Sequence, residues 1–137
     1  MANSLVVKTE LDGPGITILS VTGLLDTSDI SSTTLIDAAN LEPMDPILKN
    51  LAAGLGVSRI EFDIEDGLIV NLYFEASPTS ELIKPLTGRG KFEMHRFGWQ
   101  RCLNAGKTGK ILISTQGFTA GGTFTFGITL YLRKQAS

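Results

Sequence analysis

The stretch "RIEFDIEDGLIVNLYFEA", residues 59–76, decides the fold class. Ile60, Phe62 and Ile64 alternate with Glu61, Asp63 and Glu65, the period-two signature of a strand with one face in the core and one in water. Asp66-Gly67 follows, a dipeptide favoured in two-residue type I′ turns. After it Leu68, Val70, Leu72 and Phe74 alternate with Ile69, Asn71, Tyr73 and Glu75. Read locally, this is a β-hairpin.

Similar signals recur outward from it. "SLVVKTEL" and "ITILSVTGLL" flank "DGPG", which predicts a second hairpin. "KFEMHRF" (91–97), "KILIST" (110–115) and a short piece near 81–86 read as further strands. In "TFTFGITLYLRK" (123–134), Phe124, Phe126, Ile128, Leu130 and Leu132 share one face of a long strand, and Thr125, Gly127, Thr129 and Tyr131 share the other. Helix is scarce. The one candidate is "MDPILKNLAAGLG" (44–56), with Asp45 as N-cap, Pro46 at the first helical position and Gly54 as the stop. Residues 25–43 read as a long connection with a short extended piece. Seven or eight strands separated by Gly, Pro, Asn and Asp turns predict an all-β fold: a single jelly-roll-like β-sandwich domain over 1–137, with at most one short helix.

Bulk properties bound the function. A chain of 137 residues supports one domain with a real core. Apolar residues make up 42% and charged residues 19%, the range of a folded protein. No run of about 18 apolar residues is present, so no transmembrane helix and no membrane partner is expected. The single cysteine, Cys102, excludes an internal disulfide framework and multi-cysteine metal sites, and suits synthesis in a reducing cytoplasm.

The net charge of −2 hides an asymmetry. Residues 1–83 carry three Lys/Arg and thirteen Asp/Glu, whereas residues 84–137 carry nine Lys/Arg and the single acid Glu93. Either the two halves interleave and cancel in space, or the domain presents faces of opposite sign to copies of itself or to a charged scaffold. Nucleic acid is not expected, because the acidic half repels phosphates.

Candidate chemistry is thin. "NAGKTGK" (104–110) ends like a phosphate-binding loop. Arg101 stands where the first glycine of that motif belongs, and a strand-like run follows where a helix should begin. His95 and Cys102 could be drawn as a nucleophile–base pair, but nothing in the pattern orients the histidine or activates the thiol. Glu61, Asp63 and Glu65 lie on one strand face about 7 Å apart, which suits a solvated acidic face better than a weak calcium site. Trp99, with Tyr73 and Tyr131, could form a sugar-stacking platform, although an aromatic with a polar tip also suits core or subunit-interface packing. No catalytic residue, metal or cofactor is expected.

The order of "DGP", "VTGLLDTSDI", "RIEFDIEDGLIVNLYFEA", "GRGKFE" and "TGKILISTQGF…GTFTFGITLYLRK" resembles small structural proteins of tailed bacteriophages, of the capsid decoration (cement) class. The resemblance implies a β-rich, non-enzymatic homo-oligomer, a trimer or dimer. It further implies a chain made in the host cytoplasm and located in the virion, where it binds and stabilises the lattice of the major capsid protein. Another virion protein is the alternative partner, with the chain then a tail, neck or baseplate subunit. A carbohydrate-binding module or adhesin is the reading outside the virion. From charge and chemistry, the expected partner contacts are Arg89, Lys91, Arg96, Phe97, Trp99, Arg101 and Lys107.

Overall fold

A computed structural model describes residues 3–41, 54–77, 79–94, 100, 107–119 and 121–135. Nine strands are formed: β1 (Ser4–Asp12), β2 (Ile16–Leu25), β3 (Thr33–Asp37), β4 (Gly54–Ile64), β5 (Ile69–Ala76), β6 (Glu81–Leu86), β7 (Arg89–Glu93), β8 (Lys107–Gln116) and β9 (Phe124–Gln135). Among the described residues the only helical element is a 3₁₀ turn, Ala38–Asn40. The helix expected from Asp45 lies outside the described residues, apart from Gly54, which opens β4 instead of closing a helix.

The strands form two antiparallel sheets, one ordered β1-β2-β9-β4-β7 and the other β3-β8-β5-β6. With β1 set aside, β2-β9-β4-β7 over β3-β8-β5-β6 is the strand order of a jelly roll, a double Greek key in which the chain passes back and forth between the sheets, except from β5 to its neighbour β6. The reason lies in the faces. Leu19, Val21, Ile60, Phe126, Ile128, Leu130 and Leu132 from the five-stranded sheet meet Val70, Leu72, Phe74, Ile111 and Ile113 from the four-stranded one. All of them are buried in one core. Burial removes each from water at about 25 cal/mol per Å2 of apolar surface, so the two inner faces hold the sheets together.

The hairpin read around "DGPG" forms: β1 pairs with β2 across Gly13-Pro14-Gly15, and the Gly13 amide donates to the Ile16 carbonyl at 2.9 Å. The hairpin read over residues 59–76 does not. Strand β4 pairs with β7 and β9, whereas β5 pairs with β6 and β8. Residues Glu65–Leu68 therefore carry the chain from one sheet to the other. The Leu68 amide donates to the Glu65 carbonyl at 3.2 Å, Gly67 takes a φ of +87°, and Leu68 is buried between the layers. A sheet-to-sheet turn and a hairpin turn use the same residues. What separates them is whether Ile64 finds its partner in β5 or in the distant Phe126, and it is Phe126.

Candidate interaction surface

The outer face of the five-stranded sheet sets out polar side chains in an ordered array. Strand register arranges it in rows running across the strands. One row reads Val6, Thr22, Gly127, Asp63, Arg89; the next reads Lys8, Ser20, Thr129, Glu61, Lys91; a third brings Ile18, Tyr131, Arg59 and Glu93 abreast. Gly127 supplies no side chain, so a shallow trough crosses the sheet between the hydroxyls of β2 and the charges of β4 and β7. A Cβ added at Gly127 would meet open space.

The charges of this face are paired both across strands and along them. Arg89 Nε lies 3.3 Å from Asp63 Oδ1, and Arg59 reaches Glu61 at 3.4 Å and Glu93 at 3.9 Å. Lys91 Nζ is 3.5 Å from Glu93 Oε1. Strand β4 thus sets Asp63 and Glu61 beside Arg89 and Lys91 of β7, which cancels part of the asymmetry between the two halves of the sequence. Tyr131 donates its hydroxyl proton to Glu61 Oε1 at 3.1 Å, and the Arg59 guanidinium sits 5.4 Å from the centre of its ring. Accepting this hydrogen bond, the Glu61 carboxylate holds the Tyr131 phenol above its ordinary pKa. Desolvation and the Glu61 charge add to the shift, and Arg59 opposes it.

Of the expected partner contacts, Arg89 and Lys91 stand exposed on β7, beside the trough. Lys107 opens β8 with its backbone opposite Ala76, on the other sheet. Arg96, Phe97, Trp99 and Arg101 lie outside the described residues, as do His95 and Cys102. Tyr73 is flanked by the core residues Leu72 and Phe74 and paired with Leu82 and Leu112, which puts it on the outer face of the four-stranded sheet. Tyr131 is on the opposite outer face, under Arg59, so the two tyrosines share no platform. Among the described residues no group of three or more His, Cys, Asp or Glu side chains has the geometry to hold a metal ion. The phosphate-loop letters Lys107-Thr108-Gly109-Lys110 run into a strand, with Gly109 at φ +84° where β8 bulges against Glu75.

No protein-family model matches the chain, and no curated protein does. Among solved structures, it aligns with Peruvianin-I, a cysteine peptidase from Thevetia peruviana latex, at 16% identity and a TM-score of 0.37. The alignment covers 92% of this chain, which spans 60% of that structure's length. A likeness at this level carries no argument about activity.

The row pattern was missed in the sequence because register is invisible there. The signal that could have suggested it is a coincidence of spacing: Arg59-x-Glu61-x-Asp63 and Arg89-x-Lys91-x-Glu93 carry opposite charges when laid antiparallel.

Proposed function

We propose that this protein is a structural component of a virus particle, a capsid decoration subunit that binds the lattice of the major capsid protein and stabilises it without catalysing a reaction. The observation that carries the reading is the jelly-roll strand order, an architecture used by viral capsid domains. It joins the resemblance to phage cement proteins. Because jelly rolls also serve as lectins, fold alone does not choose between them. What favours the capsid reading is the surface: Arg59 lies over the ring of Tyr131 and Tyr73 is on the opposite outer face, so the two tyrosines, the described members of that aromatic set, share no stacking platform.

The mechanism is linkage. A subunit that binds the assembled lattice and not its dissociated components lowers the free energy of the assembly, by about 2.7 kcal/mol per site when free subunit is at 100 times its Kd. The surface offered is the charged and hydroxylated outer face, with Arg89 and Lys91 at its edge. Purified particles analysed by mass spectrometry and cryo-electron microscopy test this. The subunit is expected on the outside of the shell. Density in the tail, neck or baseplate assigns it to those parts instead, and absence from particles ends the virion reading.

A further inference from the structure

The five-stranded sheet is one strand wider than the sheet it packs on, and the surplus strand is β1. The two residues linking β6 to β7 stack those two edge strands on one side of the sandwich. That leaves β3 and β2 at the other side, with β1 projecting past them. Burial agrees. Val7 pairs with Val21 and Thr9 with Leu19, and both partners are 1% exposed in the core. Val7 and Thr9 therefore point toward the inner side of the sheet, yet Val7 is 38% exposed and Thr9 is exposed too. Among the described residues no second layer lies beneath this row at Val7 and Thr9, whereas Leu5 at its start packs partly against the core.

We propose that two copies of this chain associate through that ledge, on a two-fold axis that runs along the strands and between the layers. A step of this shape is its own complement. The overhanging β1 of each copy lies over the inner row of the other's β1 and against the other's β3 edge. Two layers of nine strands then run through the dimer without a gap.

Charge favours a second copy over a charged partner. Lys8 is matched on its own strand by Glu10, at 3.8 Å, and Asp12 by Lys134. The inner row Leu5, Val7, Thr9 carries no charge. Area selects the step over simple edge pairing. A strand of nine residues is about 30 Å long, so joining two β1 edges alone covers roughly 600 Å2 in total, below what a specific dimer needs. The stepped joint adds the ledge and the edge of β3, five residues or about 17 Å long, reaching roughly 1,000 Å2, where specific interfaces begin.

The test is sedimentation of the purified full chain, with no particle present, so its outcome is independent of the virion reading. The wild type is expected as a dimer at about 100 µM. Val7→Asp, on the inner row, is expected to weaken the dimer about 100-fold, and Val6→Asp, on the outer side of the same strand, to leave it nearly intact. Thr9→Arg is the second inner-row variant should Val7→Asp fail to give the wild-type circular dichroism spectrum. A monomer at that concentration, a trimer, or a dimer disrupted by Val6→Asp and not by the inner-row variants overturns the proposal.

Discussion

Lys134 Nζ lies 2.6 Å from Asp12 Oδ1 and 2.6 Å from the Gly13 carbonyl oxygen, with the lysine side chain wholly buried. The pair ties the end of β9 to the β1–β2 turn, and the Lys134 amide donates to the Gly15 carbonyl alongside it. The partners are unequal: 22% of the Asp12 side chain remains exposed and none of Lys134's. Asp12→Ala strands a buried ammonium and is expected to cost about 3 kcal/mol, whereas Lys134→Met leaves a carboxylate that water can reach and costs about 1 kcal/mol. Urea denaturation of the two variants measures the difference. Equal losses would show that burial of the lysine does not set the cost.

Glycine substitutions separate two kinds of position. Gly117 has a φ of +98°, and a Cβ there would run into the Gly67 carbonyl oxygen at the sheet-to-sheet turn. Gly117→Ala is expected to destabilise by about 2 kcal/mol or more, from backbone strain and the clash together. Gly127→Ala, on the open floor of the trough, is expected to stay within about 0.5 kcal/mol of wild type. Thermal melts of both decide it.

The Tyr131–Glu61 hydrogen bond gives a spectroscopic readout. The folded pKa of Tyr131 is raised, so its contribution to stability is complete below the unfolded value near 10 and is lost as pH rises through the folded value. Glu61→Gln is expected to lower the Tyr131 titration midpoint, followed by tyrosinate absorbance. The stability gap between wild type and variant should then narrow above about pH 10. An unmoved midpoint would mean that Glu61 is not the cause.

Arg89 and Lys91 distinguish a structural role from a contact role. Their ion pairs are exposed, and such pairs are worth at most about 1 kcal/mol. The double variant Arg89→Ala/Lys91→Ala is expected to melt close to wild type and to bind particles less tightly, with a flatter dependence on salt. Unchanged binding at every salt concentration would remove both residues from the contact surface.

Alternation along the strands was readable because it records a local fact: each inward residue is apolar whichever sheet it joins. The faces of β4, β5 and β9 follow the sequence for that reason. Sheet membership was not readable. Asp66-Gly67 turns the chain equally well within a sheet or between sheets, and the decision belongs to Phe126 and Gln116, far along the chain. The charge asymmetry was visible as a sum over two halves. Its partial cancellation came only with the register that sets Asp63 beside Arg89. The ledge at β1 left no sequence trace, since Val7 alternates as any core residue does and only the width of the opposite sheet exposes it.

The position of β9 has a consequence for how the chain reaches this structure. Strand β9, last in chain order among the described strands, is the central one of its sheet, pairing Ile16 with Arg133 on one side and Ile64 with Phe126 on the other. Until Phe124–Gln135 has emerged from the ribosome, β2 and β4 have no strand between them, and the sheet exists only as separate pieces. Five of the seven strand pairings are distant in sequence, so folding is expected to take milliseconds to seconds and to finish only after β9 has emerged. Until then the inner rows of β2 and β4 stand open to other nascent chains, a hazard that ends when β9 closes the sheet.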